Sequence, residues 1–414
     1  MRISEPQHHY DIVIIGGGLV GASFACALAA QTRHVAPRIL VIEAAPSMQV
    51  STSFDARSTA LSHGSKQIYA SLGLWKAIAT HAAPIQRIHV SDRGHFGAVR
   101  IDSADMQVDA LGHVAENQHL GLVLTGALDA DPAIDFLCPA SISTLVPTPQ
   151  GMRLQVQGDS TDLLTVDAAL VVLADGGKST VSEQLGISSN HTPYGQHALI
   201  ANVAFSDPHR HTAYERFTES GPLAVLPLAE QEGEHRGALI WTLADEEAAA
   251  VAALPERLFL EKLQERFGYR LGRFEKVGSR TLYPLTLTVA REQVRPGLVL
   301  LGNVAHSLHP VAGQGLNLAL RDAQVLAGLL AQALAKGEHP GEMAVLQAYV
   351  EQQTRDQLAT ISFSDYMTRL FSSSHPALVW ARKFGLFSID MIPPFKRGFA
   401  RQAMGLAERR QQRA

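Results

Sequence analysis

Between residues 11 and 44 a short β-branched run, three spaced glycines, a small-residue helix and a second apolar run follow one another without interruption. Asp11 to Ile15 suits a buried parallel strand, and Leu19 to Ala30 has helical spacing. Arg38 to Ala44 supplies the next strand and completes a βαβ unit. The glycines read Gly16-x-Gly18-x-x-Gly21, at the turn from strand into helix. Glycine there permits a tight turn and lets backbone amides approach a pyrophosphate at the helix N-terminus. Glu43 closes the second strand, where an acid grips a ribose 2′-hydroxyl. Three glycines alone are a weak signal; strand, helix and terminal acid together predict a dinucleotide site. The acid disfavours a 2′-phosphate, so the ligand expected here is FAD or NAD rather than NADP.

Two later strands end the same way. Ala168 to Ala174 runs into Asp175–Gly176, and Gly297 to Leu301 runs into Gly302–Asn303. The loop from Pro310 to Gly315 then leads into a helix expected from about Asn317 to Leu334. Its apolar residues Leu318, Val325, Leu326, Leu329 and Leu330 recur at helical spacing. A nicotinamide dehydrogenase would continue from the first glycines as one compact domain. Strand-end turns about 160 and about 285 residues further on suit a longer cofactor, FAD, held by several separated loops.

The intervening sequence has another texture. Residues 84–104 and 186–284 alternate polar with apolar positions, as in ALIANVAF, AYERFTE, GPLAVLPL and GALIWTL, and read as an antiparallel sheet. The expected fold class is therefore α/β: a Rossmann-like FAD-binding domain with an inserted antiparallel-sheet substrate domain and a helical C-terminus. The expected boundaries are 1–83, 105–185 and 285–345 for the FAD-binding domain, 84–104 and 186–284 for the substrate domain, and 346–414 for the helical region. Its helices break at Pro376 and at Pro393–Pro394. The sequence holds no internal repeat and no low-complexity segment.

Composition excludes several classes. Over 414 residues, 46% are hydrophobic and 18% charged, which marks a folded chain rather than a disordered one. A formal net charge of −4 offers no broad basic face, so no nucleic-acid partner is expected. The two cysteines, Cys26 and Cys138, are far apart and predict neither a disulfide framework nor a zinc site. His306 and His309 are three residues apart, but no carboxylate or cysteine joins them in sequence, so no metal is expected. The N-terminus reads as a strand, not a secretory signal, and no transmembrane helix is expected. From His375 onward Trp380, Phe384, Phe387 and Phe395 mix with Arg382, Lys383, Lys396, Arg397 and Arg401. Two readings of this basic, apolar segment stay open: a helix pair lying on an anionic membrane, or a helix docked on the FAD domain with a solvated basic face. The expected location is cytoplasmic, with peripheral contact on the inner face of the bacterial membrane under the first reading.

Three motifs, GGGLVGA (16–22), LADGGKS (173–179) and LLGNVAHSLHPVAGQGLNLALRD (300–322), resemble those of the flavoprotein aromatic hydroxylases with the p-hydroxybenzoate hydroxylase fold. FDARSTALS (54–62) and HPVAGQGLNLALRD (309–322) are similar to the ubiquinone-biosynthesis hydroxylases within that group. VSDRGHFG (90–97), ANVAFS (201–206) and ERFTESGPLAVLP (215–227) resemble the branch that acts on 2-polyprenyl-6-methoxyphenol. The resemblance runs over almost the whole chain and implies ring hydroxylation of a polyprenyl phenol to the 1,4-benzoquinol, with FAD as cofactor and NAD(P)H and O2 as cosubstrates. It implies that Gly16, Gly18, Gly21 and Glu43 hold the ADP half of FAD and that Asp175 and Gly176 touch FAD and line the nicotinamide approach. Gly302 and Asn303 would contact the ribityl and pyrophosphate region; Asn stands where the wider superfamily carries Asp, and brings no charge beside the phosphates. Ser182 stands where the middle motif often ends in Arg, so the resemblance does not carry over an NADPH-phosphate contact at that place.

The turn Ala312-Gly313-Gln314-Gly315, with Pro310 before it and Asn317 after it, would set backbone amides and a helix N-terminus against the flavin, whose reduced form is anionic at its pyrimidine edge. Arg57 is read as a flavin neighbour or a substrate-orienting residue, against a plain surface arginine. Gln118 is placed on a helix beside FAD. His309 either shapes the active site and handles protons, or packs as a hydrogen-bonded histidine; no catalytic base is assigned. Tyr283–Pro284 belongs near substrate or in the core, and GPLAVLPL and GALIWTL wall a dry site or fill a domain core. Competing functions are another hydroxylation of the same pathway, an isoprenoid-reducing flavoprotein that needs no O2, and a non-catalytic FAD subunit associated with other proteins of ubiquinone biosynthesis.

Overall fold

The computed structural model describes residues 9–45, 57–92, 98–158, 163–177, 181–218, 221–308, 313–372, 397–398, 400–401 and 404–406. His309, Pro310 and nearly all of the basic C-terminal segment lie outside the described residues.

The first strand, β1 (His9–Ile15), is almost entirely buried and lies inside a mostly parallel sheet. β2 (Ile39–Ile42) flanks it on one side and the strand Leu163–Leu173 on the other, both parallel to it. Leu298–Leu300 extends the sheet beyond Leu163–Leu173, and Ile134–Leu137 extends it beyond β2, again in parallel. Parallel strands are buried on both faces, which accounts for runs such as DIVII and AALVVL with no polar alternation. On one face lie α1 (Leu19–Gln31), the helix Asn117–Ala130 and the long helix Gln314–Ala335, joined through Phe24, Leu28, Leu124, Leu326 and Leu330. An antiparallel ribbon, Ser141–Thr148 with Gly151–Gln157, continues from the strand Leu163–Leu173 and closes a second core through Leu145, Leu154 and Val156. The helix Gln314–Ala335 is long and apolar enough to cross a membrane by length and composition, yet its apolar face is built into the first of these cores. It starts three residues ahead of the expected Asn317, because Gly313, at φ 61°, takes the left-handed turn that opens it.

A nine-stranded sheet forms the second layer system. Its central members are Ser189–Phe205, His235–Ala244, Gly221–Pro227 and Thr212–Thr218, paired antiparallel in sequence. Arg87–Asp92 and Ala98–Asp102 join at its edge, the former parallel to Thr212–Thr218. Thr281–Ala290 pairs along Ser189–Phe205, and His306–Ser307 pairs with Thr281–Ala290 in turn. One face of it is covered by the helices Asp245–Ala252 and Glu256–Phe267, where Phe259, Leu263 and Phe267 pack on Leu199, Leu239 and Trp241. The opposite face looks towards a small sheet of three strands, Ser58–Ser62, Gly112–Glu116 and Ala82–Ile85. The last described helix of more than one turn is Met343–Ser372. Its Asp356 pairs with Arg321 on the long helix, Nε to Oδ2 at 2.5 Å.

Candidate active site

The parallel strands end in register. Ile15 stands beside Ile42 and Leu173, and Leu173 beside Leu300. The residues that follow, Gly16, Glu43, Asp175 and Gly302, therefore emerge together at the carboxyl edge of one sheet, where open α/β sheets bind ligands. Each glycine of the first turn has its own task. A Cβ on Gly16 would lie 2.6 Å from the Ala174 carbonyl oxygen, and its φ of 102° suits glycine alone. A Cβ on Gly21 would lie 1.9 Å from the Gly16 carbonyl oxygen, so this glycine lets helix and strand touch. At Gly18 nothing lies within 4 Å of where a Cβ would be, and no side chain caps α1 there. The uncapped amides face open space, and the first turn carries no acid. That is a cradle an anion fills.

Glu43 Oε2 accepts the Gly17 amide at 2.7 Å, and Oε1 accepts Ala45 N at 2.8 Å. Each carboxylate oxygen keeps a further lone pair for a ribose hydroxyl. Asp175 Oδ1 accepts the Gly177 amide at 2.9 Å and fixes its own turn, with Gly176 at φ 74° and unobstructed. Asn303 is exposed at this edge, on the short helical turn Gly302–Val304, and a Cβ on Gly315 would sit 3.9 Å from its Oδ1. The turn at Gly313 thus reaches the same place.

Asn317 holds that turn down. Its Nδ2 donates to the carbonyls of Ala60 at 2.8 Å and Gly313 at 2.7 Å; its Oδ1 accepts Ser62 N at 2.8 Å and Ser65 Oγ at 2.6 Å. The amide is fully used within the protein, so Asn317 reaches a cofactor only by placing the Gly313 backbone. Gln314 is buried, and its Nε2 has no partner among the described residues.

A cavity, part of it continuous with solvent, opens beside Gly313 and Asn317. Ala60, Leu61 and Ser62 form its near wall, and Ile85, Leu111 and Gly112 a second side. The nine-stranded sheet supplies the far wall through Pro222, Ala224, Leu226, Ile240 and Thr242. The alternate residues Leu223, Val225, Leu239 and Trp241 point into the domain core. The same strands thus wall this cavity with one face and fill the domain core with the other.

Sequence reading missed the one charged group of this wall. Glu215 lines the cavity, opposite Ala224 in the strand pairing. It is half-buried, and burial pushes its carboxyl up to about 7. Among the described residues no group makes a hydrogen bond or ion pair with it. The signal was in the alternation: Ala213, Glu215 and Phe217 share a face, so an acid stands at an apolar position.

Arg57 Nη1 donates to Tyr283 Oη at 2.8 Å, which joins two residues singled out separately in the sequence and ties the loop before Ser58–Ser62 to the large sheet. Gln118 is the second residue of the helix Asn117–Ala130. His306 belongs to a different environment: its Nε2 lies 3.2 Å from Asp322 Oδ2, off the line of a hydrogen bond, and both residues are buried. Gln353 and Gln357 donate to the two oxygens of Asp322. Among the described residues no group of three metal-ligating side chains occurs. Both cysteines are free, and burial pushes the Cys26 thiol up to about 12, which leaves it inert.

Residues 9–363 match the family model described as an FAD binding domain. The chain belongs to this family. Ubiquinone hydroxylase UbiL of Rhodospirillum rubrum is 36% identical over 395 residues, which cover 95% of this chain and 89% of the relative. The 3-demethoxyubiquinol 3-hydroxylase of Escherichia coli is 29% identical over 403 residues, 96% of this chain and 98% of the relative. The crystal structure of p-nitrophenol 4-monooxygenase PnpA from Pseudomonas putida superposes with a TM-score of 0.79 at 19% identity, covering 98% of this chain and 100% of that one, and shares the fold. The protein is a member of the FAD-dependent aromatic monooxygenases related to the ubiquinone-biosynthesis hydroxylases, and an FAD-dependent oxidoreductase that uses NAD(P)H and O2. The open amide cradle at Gly18 and the acceptors of Glu43 fit the diphosphate and ribose of FAD.

Proposed function

We propose that this enzyme hydroxylates the ring of a 2-polyprenyl-6-methoxyphenol to the 1,4-benzoquinol in ubiquinone biosynthesis. The observation that carries this reading is the apolar cavity walled by Pro222, Ala224, Leu226 and Ile240, which adjoins the Gly313 turn. A mostly apolar wall with few polar groups suits a substituted ring that carries an isoprenoid tail. In this reading Gly16, Gly18, Gly21 and Glu43 hold the ADP half of FAD, Asp175 and Gly176 line the nicotinamide approach, and Gly302 and Asn303 meet the ribityl and pyrophosphate region. The backbone at Gly313, Gln314 and Gly315 faces the pyrimidine edge of the flavin, and Arg57 and Gln118 flank the cofactor. Bound FAD supplies the two-electron reduction and the activation of O2. The chain's own part is to seat the phenol, exclude water and set charge around the ring.

We place the FAD-binding domain at 1–83, 105–185 and 285–345, the substrate domain at 84–104 and 186–284, and a helical region after residue 345. For the basic, apolar segment that begins at His375 both readings stand, peripheral contact with the membrane where a polyprenyl substrate resides and docking on the protein. Ala400 and Met404, buried beside Val90 and Val99, favour docking for its last part. A second reading is hydroxylation at another ring carbon of the same pathway, as the printed name of the Escherichia coli relative describes for that protein.

Purified holoenzyme given NAD(P)H, O2 and 2-methoxy-6-prenylphenol tests the proposal. The expected product is the para-hydroxylated quinol, with oxygen consumed. Hydroxylation of a demethoxyubiquinol instead selects the second reading. Saturation of the prenyl chain without oxygen uptake overturns both.

A further inference from the structure

We infer that Glu215 is the group that receives the substrate's ring hydroxyl, accepting its hydrogen bond and then its proton as the ring is oxygenated. This rests on the phenol hydroxylation proposed above and names the residue that activates the phenol.

The cavity wall is mostly apolar, with Ser62, Tyr214, Thr242 and Asn317 as its uncharged polar side chains. Apart from Glu215, its described lining holds no Asp, Lys, Arg or His; Tyr214 is its only other titratable side chain. A carboxyl set among Ala224, Leu226, Ile240 and Leu111 without a described donor is costly, since burying a polar group without a partner destabilises the fold. Structure alone gives no return for that cost. Neighbouring polar side chains on its strand make hydrogen bonds within the protein. Arg216 Nη1, pointing to the opposite face, donates to the Phe267 carbonyl at 2.9 Å, and Thr218 Oγ1 donates to the Gly221 carbonyl at 2.7 Å. Glu215 alone on this strand turns an unsatisfied acceptor into the cavity. A ligand that brings one O–H donor on an otherwise apolar body satisfies it; a phenol is such a ligand.

The chemistry follows. A phenol has a pKa of about 10 and an ordinary carboxylate one of about 4, a poor match for proton transfer. Burial closes much of that gap by holding the Glu215 carboxyl near 7, and proton transfer is most effective when donor and acceptor are matched near working pH. As the new C–O bond forms to an oxygen atom that bound FAD would deliver from O2, the O–O bond breaks with its electron pair leaving on the other oxygen. The para C–H proton is lost as the ring regains aromaticity, and the O–H bond of the phenol breaks. Its electron pair stays on the ring oxygen and pushes density to the para carbon, and its proton goes to a Glu215 carboxylate oxygen. No further oxidant or reductant enters this step. The aromatic face meets the Gly313 side of the cavity while the hydroxyl meets the strand Thr212–Thr218, so one residue sets both orientation and ionisation.

Two substitutions separate these tasks. Glu215→Gln keeps an acceptor oxygen but cannot take a proton; Glu215→Leu loses both. Ligand binding is read first, without turnover, from the perturbation of the flavin spectrum by 2-methoxy-6-prenylphenol and by its O-methyl ether, which has no proton to donate. Native enzyme should prefer the phenol by about tenfold, Glu215→Gln should retain much of that preference, and Glu215→Leu should lose it. In turnover, native kcat should rise with pH through about 7. Glu215→Gln should lack that limb, with kcat lower by about 100-fold and KM little changed. Equal binding of phenol and ether by native enzyme, or a Glu215→Gln variant with native kcat and native pH limb, overturns the assignment and leaves the hydroxylase reading standing. If native holoenzyme binds neither compound, the hydroxylase reading itself fails and this inference falls with it.

Discussion

The two halves of the active site are built from different materials. At the edge of the parallel sheet the proposed cofactor site is made of backbone: the uncapped helix start at Gly18, turns at Gly176, Gly302 and Gly313, and one carboxylate that holds the Gly17 amide. Across the cavity the substrate wall is made of side chains, alternate residues of strands whose backbone is committed to the ladder. A backbone site tolerates little, because an added Cβ collides with main chain. A side-chain wall can be resurfaced without loss of fold. One scaffold can therefore keep its cofactor while its substrate changes, and perturbations of the two halves should differ in kind.

The largest effect is expected at Gly21. Gly21→Ala puts a methyl 1.9 Å from the Gly16 carbonyl oxygen and should cost at least about 4 kcal/mol, giving little folded protein and no bound flavin. Gly18→Ala is its counterpart. Gly18 has φ −67° and open space around it, so the apoprotein should lose no more than about 1 kcal/mol while FAD affinity falls at least about tenfold. Denaturant titration of apoprotein alongside FAD titration separates the two, and equal behaviour of both variants would break the distinction drawn between packing and ligand glycines.

Next in size, Asn317→Ala removes four hydrogen bonds that pin Gly313 to Ala60 and Ser62 and should cost about 3 kcal/mol. FAD should be lost with it, because the Gly313 turn loses its anchor. Retained flavin on a destabilised protein would show that the turn keeps its shape without this amide.

On the substrate side the sign reverses. Folding raises the Glu215 carboxyl above its ordinary value to about 7, so the folded state favours the proton. Stability tied to this group is complete below the ordinary carboxylate range and is lost as pH rises through about 7. Glu215→Gln, neutral at every pH, should match the native protein in melting temperature at pH 5 and exceed it at pH 8, by up to about 3 kcal/mol. Parallel melting curves at both pH values would contradict the burial of this carboxyl. The smallest effect belongs to Arg57→Ala, which removes an exposed hydrogen bond to Tyr283; a change below about 1 kcal/mol with flavin retained is expected.

How much was legible follows the same division. The cofactor edge could be read because its constraints are local: a strand, a glycine, a helix and an acid in short order, repeated at residues 175 and 302. Convergence of those turns needs only that parallel strands end in register, as Ile15, Ile42, Leu173 and Leu300 do. The role of Asn317 was not legible, since its partners Ala60, Ser62 and Ser65 lie some 250 residues away in the chain. The pair of His306 with Asp322 was hidden likewise, because helix and strand meet only in the fold. Arg57 and Tyr283 were each noticed, but their contact spans two sheets. Glu215 was within reach. It breaks an apolar alternation in TAYERFT, yet a strand's two faces look alike until the core side is known.

The central claim is that distant strand-end turns close on a single flavin nucleotide. The most direct measurement is the visible absorbance of the purified, full-length protein after incubation with FAD and removal of free ligand. A yellow protein carrying about one FAD per chain is predicted; a colourless protein that takes up no flavin would contradict the account.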